Sequence, residues 1–220
     1  MLAGDIHTNL IPQLRLDDSV AKALQLITDY RVSHLAVVSD EKYLGLISED
    51  DLLDAENNKM PIEGLQNDFI LAFIKETEHF LQAVNFSNQY HTNVVPVVND
   101  EKELTGTITT GVLLKTLGDF SGAQEIGGLI ILEMERSQFA ISEISRIVES
   151  NDATILHLNT TINAVTGLLT VTIHLNKKEL SAIVAAFERY EYDVIYYFGD
   201  ENFENQVQNN YQNLINYLEI

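Results

Sequence analysis

Cysteine is absent from the 220 residues. Disulfides, thiol catalysis, cysteine-based zinc sites and iron–sulfur clusters are excluded together. Basic residues are scarce: 13 Lys and Arg stand against 33 Asp and Glu, for a formal charge of −20. A surface of that sign keeps a chain in solution and repels phosphate backbones and anionic lipid, so nucleic acid and membranes are poor partners. No uninterrupted apolar run approaches the ~18 residues that a membrane-crossing helix needs. The opening MLAGDIHTNLIPQLRLDD has no basic start followed by a long apolar run, so no secretory signal is expected. The sequons at Asn85 and Asn159 then carry little meaning, and a soluble cytoplasmic protein is expected.

Catalytic signatures are missing as well. The sequence has no nucleophile elbow, no phosphate-cradling P-loop and no GxGxxG. The six histidines (His7, His34, His79, His91, His157 and His174) show neither HExxH nor two-His-one-carboxylate spacing. Asp50 and Asp51 are neighbours on a helix and point apart. No nucleophile stands against a base, so an enzyme is not expected, nor a metal or a resident cofactor.

What is present is a core and a repeat. Hydrophobic residues make up 45% of the chain, ample for burial. AVVSDEKYLGLI (36–47) lies over PVVNDEKELTGTI (96–108), and VAKALQLITDYRVSHL (20–35) over FLQAVNFSNQYHTNVV (80–95). Self-similarity at a period of about sixty governs the fold. In each copy an apolar stripe such as Val20, Ala23, Leu24 and Ile27 predicts a helix. Two short strands joined by an acidic turn come next, and then a second helix. Two such units can bury their apolar faces against each other about a pseudo-twofold axis.

The copies differ where GLISEDDLL (45–53) meets GTITTGVLL (106–114). Glu49, Asp50 and Asp51 become Thr110, Gly111 and Val112. Ser48 with Asp51 reads as a capping box, and acids in a first turn suit the helix dipole. Each effect is worth about 1 kcal/mol or less.

VSHLAVVSDEKYLGLISEDDLL and TNVVPVVNDEKELTGTITTGVLL resemble a tandem pair of CBS domains over roughly Ala3 to Asp119, through the pattern Gly45-Leu46-Ile47-Ser48-Glu49-Asp50-Asp51. The resemblance implies two βαββα-type units and a site for an adenosine nucleotide. In it Asp51 takes the ribose hydroxyls, as a carboxylate can, and Ser48 helps with ribose or phosphate. Ser33, His34 and Leu35 line the base or phosphates. The matching Asn93, Val94 and Thr109 form a second, weaker site without the acid. Thr109 can still cap its helix, so the asymmetry fits one competent site. Ala36 stands where the family often has the proline that Pro96 keeps. Ile11 and Pro12 could pack on adenine. Cations nearby are few (Arg15, Arg31, His91), which favours AMP, ADP or another adenosyl compound over ATP with magnesium.

After a Gly- and Ser-containing stretch (119–128) the pattern reads strand (LIILEME), helix (FAISEISRIVESNDA), two strands (TILHLNTT, GLLTVTIHL), helix (KKELSAIVAAFERYEY) and strand (DVIYYFG). The order β-α-β-β-α-β is the ferredoxin-like arrangement, and it resembles an ACT-type domain. Such domains usually pair, which implies a homodimer. The loop 135–139 lacks the glycine that amino-acid-binding members place there, and Arg136 is the one cation positioned for a carboxylate. The tail 200–220 carries Val207, Tyr211, Leu214, Ile215 and Leu218 at helical spacing. The expected organisation is therefore mixed α+β and α/β: CBS unit 1 (1–59), CBS unit 2 (60–120), linker (121–127), ACT-like domain (128–199) and C-terminal helix (200–220). This domain order resembles bacterial acetoin-utilisation accessory proteins. The expected function is allosteric sensing of a nucleotide for an unidentified regulated protein. A structural adaptor without ligand, or an amino-acid sensor acting through the ACT-like half, are the alternatives.

Overall fold

The computed structural model describes residues 1–199; the helix expected over 200–220 lies outside the described residues. The chain forms two compact units, Met1–Leu117 and Gly118 onward.

The first unit contains a short helix α1 (Ala3–Ile6) and then two copies of one plan. The first copy runs β1 (Leu14–Arg15), α2 (Val20–Tyr30), β2 (His34–Ser39), β3 (Lys42–Ser48) and α3 (Glu49–Leu53). The second runs β4 (Ile74–Lys75), α4 (Phe80–Gln89), β5 (Val94–Val98), β6 (Leu104–Thr109) and α5 (Thr110–Ser121), whose last four residues belong to the second unit. Each copy makes a three-stranded sheet with the short strand parallel and the hairpin antiparallel. Helix α2 starts where the Ser19 hydroxyl accepts from the Lys22 amide (3.2 Å), and it buries Val20, Ala23 and Ile27 of the predicted stripe, with Leu24 partly buried. It stops at Arg31, whose φ of 54° lies in the left-handed region; His91 (φ 49°) repeats this after α4. Side chains there cost about 1 kcal/mol relative to glycine, so burial of the strands β2 and β5 just beyond must hold both stops in place.

Strand β2 is buried from His34 to Val38, because it has a core on each face. Leu35 and Val37 pack with Val20, Ala23 and Ile27 of their own repeat, in a cluster that also takes Val94 from the second repeat. Ala36 turns the other way and, with Tyr43 and Leu46, joins Val95, Val97 and Ile108. Each repeat thus completes the other's core.

The backbone is exchanged in the same manner. Leu46 of β3 trades both of its hydrogen bonds with Ile70, in the segment leading into repeat two (2.9 Å each). Thr107 of β6 does the same with Thr8, in the segment leading into repeat one (2.8 and 2.9 Å). The residue before each of these, Gly45 or Gly106, lies directly beneath the crossing segment. A Cβ on Gly45 would come 2.7 Å from the Phe69 Cβ, and one on Gly106 would come 2.9 Å from the Thr8 carbonyl oxygen. That contact is why both copies of the motif begin with glycine. At the far ends of the hairpins Lys42 bridges to Glu103 (3.0 Å); these equivalent positions face each other across the pseudo-twofold axis.

The second unit contains β7 (Gly128–Met134), α6 (Ile141–Glu149), β8 (Ile155–Ile162), β9 (Leu169–Leu175), α7 (Ser181–Arg189) and β10 (Asp193–Phe198). The chain order is β-α-β-β-α-β, and the sheet is antiparallel with spatial order β10-β7-β9-β8. Burial alternates strictly along β7 and β9. Ile130, Leu132, Val171 and Ile173 meet Ile144, Ile147, Ile183 and Phe187 of the helices. Helix α7 begins at Ser181 rather than at the expected Lys177. The Lys177 and Lys178 carbonyl oxygens lie close to the Gly128 and Gly199 backbones, 2.9 and 2.0 Å from where a Cβ on each would stand, and Leu180 enters the core.

Gly106→Val should lower protection of the β3 and β6 amides in hydrogen exchange by about 1–3 kcal/mol, as overpacking does. Gly118→Ala, where an added Cβ meets nothing within 4 Å, should be neutral or stabilise α5 by up to about 1 kcal/mol. Unchanged protection in Gly106→Val would remove the crossing as the reason for the glycine.

Candidate functional site

The β2–β3 ladder sets His34 directly opposite Ser48. Ser48 ends β3 and caps α3, a helix of five residues with Glu49, Asp50 and Asp51 in its first turn. The Ser48 hydroxyl accepts from the Asp51 amide (3.0 Å) and donates to Asp51 Oδ2, which also accepts from the Ser48 amide (3.4 Å). The capping box read from the sequence is therefore closed. Both bonds to the carboxylate fall on Oδ2; Asp51 Oδ1 has no partner among the described residues, and the side chain is half-buried.

Ser33 and Asn93, which the sequence assigns to separate sites, meet on the pseudo-twofold axis. The Asn93 side-chain oxygen accepts from the Ser33 amide (2.8 Å) and hydroxyl (3.0 Å), and the Asn93 amide donates back to Ser33 Oγ (3.2 Å). Asn93 Nδ2 also donates to the Arg31 carbonyl (3.1 Å). The first amides of the two following helices bond to the carbonyls of the same two residues, Glu49 to Ser33 (2.9 Å) and Thr110 to Asn93 (3.1 Å).

His34 is 7% exposed, with Nδ1 2.9 Å from Ser33 Oγ. Burial pushes its pKa below the ordinary value, and the carboxylates of Asp51 and Asp50 oppose that shift. Ser33, His34, Ser48 and Asp51 therefore form one cluster. Leu35, by contrast, is fully buried in the first repeat's core. In repeat two Val94 stands opposite Thr109 and is also core. Thr109 caps weakly, accepting from the Val112 amide at 3.4 Å, with no carboxylate beside it.

The remaining candidates lie elsewhere. Ile11 and Pro12 line a cleft of about 510 Å³ with Gly106 and Thr107 of the other repeat. Arg15 lines one of about 690 Å³ with Asp40, Glu41 and Glu63. Arg31 and His91 are exposed, and Arg136 is exposed in a 3-10 turn. No group of three or more side chains suited to a metal occurs among the described residues, and no described helix is long and apolar enough to cross a membrane. Sequence reasoning missed Phe69 and Ile70, which cover Gly45 from the other repeat, and Tyr43, whose hydroxyl donates to the Ala72 carbonyl (2.9 Å) and holds that segment. The paired glycines were the one visible sign of such a crossing.

Residues 3–58 match the family model of the CBS domain. Among solved structures the chain is similar to a CBS domain pair/ACT domain protein of Thermotoga maritima, with 20% identity over 55% of this chain and 98% of that one and a TM-score of 0.49. It is also similar to a putative acetoin utilization protein of Vibrio cholerae (18% identity, 56% and 95% covered, TM-score 0.46). A third is CBSX2 in complex with AMP (19% identity, 54% and 97% covered, TM-score 0.46). Likeness of that degree leaves ligand and partner to be argued from this chain's own residues.

Because His34 has a folded-state pKa below its ordinary 6.5, the unfolded chain binds its proton first as pH falls. This histidine adds no penalty well above pH 6.5. Below that value it destabilises the fold progressively, by at most about 1.4 kcal/mol per pH unit. Urea midpoints should fall between pH 7.5 and 5.5, and His34→Gln should flatten that slope; equal slopes in both proteins would contradict the assignment.

Proposed function

We propose that the first unit, taken as a CBS pair, is a regulatory module that binds an adenosine nucleotide with few phosphates. One observation carries this reading: Asp51 closes its capping box with a single oxygen, and Oδ1, at a half-exposed position beside Ser48, has no partner among the described residues. A vicinal diol needs acceptor capacity of this kind, and a carboxylate gives charge-assisted bonds. The CBS match spans the whole of the GLISEDD segment, and repeat two has Val112 where the acid would be. The acids around His34 and the scarcity of nearby cations favour a monophosphate or diphosphate over a triphosphate.

A nucleotide on Asp51 also lies one ladder step from the Ser33–Asn93 contact. It can therefore bias how the two repeats sit against each other, by no more than its difference in affinity for the two arrangements. In this reading the second unit is an ACT-type domain that pairs with another copy and relays the change, the protein works in the cytoplasm, and it catalyses no reaction. A structural adaptor is the competing reading, favoured by the completeness of the capping box, which by itself accounts for Ser48 and Asp51.

Thermal unfolding with AMP, ADP, ATP and S-adenosylmethionine separates the two. A ligand at a hundred times its dissociation constant adds about 2.7 kcal/mol, a rise of roughly 5–10 °C. Asp51→Asn keeps an acceptor for the cap and removes the charge, so its unliganded stability should change by less than about 1 kcal/mol while the ligand shift disappears. No shift with any ligand in the wild type favours the adaptor, and a shift that persists in Asp51→Asn contradicts a nucleotide grip by Asp51.

A further inference from the structure

Alternation along β7 and β9 sends Ile130, Ile173 and Leu175 towards the helices. Leu129, Thr172 and His174 consequently occupy the opposite, helix-free face. Strand β8 adds to that face. Its ladder pairs His157 with His174 and Asn159 with Thr172, after a bulge between Ile155 and His157, and Leu158 between them packs on the core. Cross-strand partners stand about 5 Å apart and the next pair on the same face about 7 Å away. Two imidazoles, an amide and a hydroxyl therefore form one block. Apolar groups flank it: Leu129 is the ladder neighbour of His174 and of Phe198, and the Phe120 ring meets His157 edge-on, with centroids 5.8 Å apart.

The block floors a cleft of about 670 Å³, a size suited to a small metabolite. The turn before β7 forms a wall. A Cβ on Gly127 would sit 3.0 Å from His174 Nε2 and 1.8 Å from the Leu175 carbonyl oxygen, so glycine is required for the wall to pass this close to the imidazole. Among the described lining residues one acid, Glu125, stands with His157 and His174, in a chain where acids outnumber bases by 33 to 13. Glu133 shares the face further along and is held by Asn163 Nδ2 (3.1 Å). Neither the His157 nor the His174 imidazole has a hydrogen-bond partner among the described residues, and both side chains are half-exposed.

We propose that this cleft binds a small organic anion. Its carboxylate or phosphate group is taken by His157, His174, the Asn159 amide and the Thr172 hydroxyl, and its apolar body rests on Leu129 and Phe198. A wholly apolar ligand would strand four polar groups. The site is independent of the nucleotide reading of the first unit.

The test uses the full chain with 13C-labelled histidine, following each imidazole Cε1–H resonance by NMR. The probes are phenylacetate and phenyl phosphate, their body-less counterparts acetate and inorganic phosphate, and the neutral benzyl alcohol. His157 and His174 should shift together and saturate with at least one aromatic anion while His34 stays still. Which anion wins tells a carboxylate from a phosphate source. The body-less anions and benzyl alcohol should bind more weakly, and His174→Gln and Asn159→Ala should each weaken binding about tenfold, the loss of one hydrogen bond to a charged group. Both side chains lie outside the core, so the variants should keep the wild-type far-UV spectrum. The proposal is overturned by the absence of saturable shifts with every probe, by equal shifts at all six histidines, by benzyl alcohol binding as well as the anions, or by undiminished binding in both folded variants.

Discussion

The reciprocal crossing of the two repeats is the constraint on which the first unit rests. Each lead-in segment gives its backbone bonds to the last strand of the other repeat, Ile70 to Leu46 and Thr8 to Thr107, and each passes over a glycine that has no room for a side chain. Side chains take part in the same exchange, with Val94 in the first repeat's core and Ala36, Tyr43 and Leu46 in the second's. Neither repeat alone could bury both faces of its three short strands, and small units seldom bury enough surface to fold. The duplication is therefore a physical requirement of this unit.

The candidate site arises from that pairing. Equivalent positions meet only on the axis, and Ser33 and Asn93 are such a pair. One repeat has the serine and the other the asparagine, so each supplies what its partner lacks. Beside them His34 is buried and next to two carboxylates, the kind of setting that tends to mark functional clusters. Ser48 and Asp51 serve the helix and leave one oxygen over. Capping and ligand binding therefore do not compete for the same lone pairs. Repeat two retains the weaker cap at Thr109 and has no such oxygen.

Much of this was legible in the sequence, because local patterns act locally. The helical stripe from Val20, the Ser48–Asp51 box, the strands LIILEME and GLLTVTIHL and the β-α-β-β-α-β order all depend on near neighbours. The rest depended on which distant segments touch. The Leu46–Ile70 and Thr8–Thr107 pairs join residues far apart in the chain, and spacing gives no sign of them beyond two glycines at matched positions. Ser33 and Asn93 were visible as equivalents, but whether equivalents touch is set by the position of the axis. Leu35 and Val94 belong to the core because β2 and β5 carry apolar packing on both faces, which a half-buried hairpin would not show. His157 and His174 read as scattered histidines until the β8 bulge fixed their register.

The most direct test of the central reading removes one atom from the ligand and none from the protein. Calorimetric titration of the unmodified chain with AMP and with 2′-deoxy-AMP compares a full ribose diol with half of one. If Asp51 holds the diol, AMP binds and the deoxy compound binds about tenfold or more weakly, the cost of one hydrogen bond to a charged acceptor. Equal affinity for the two, or no heat with either, would contradict a ribose grip by Asp51 and leave its carboxylate as the cap of a five-residue helix.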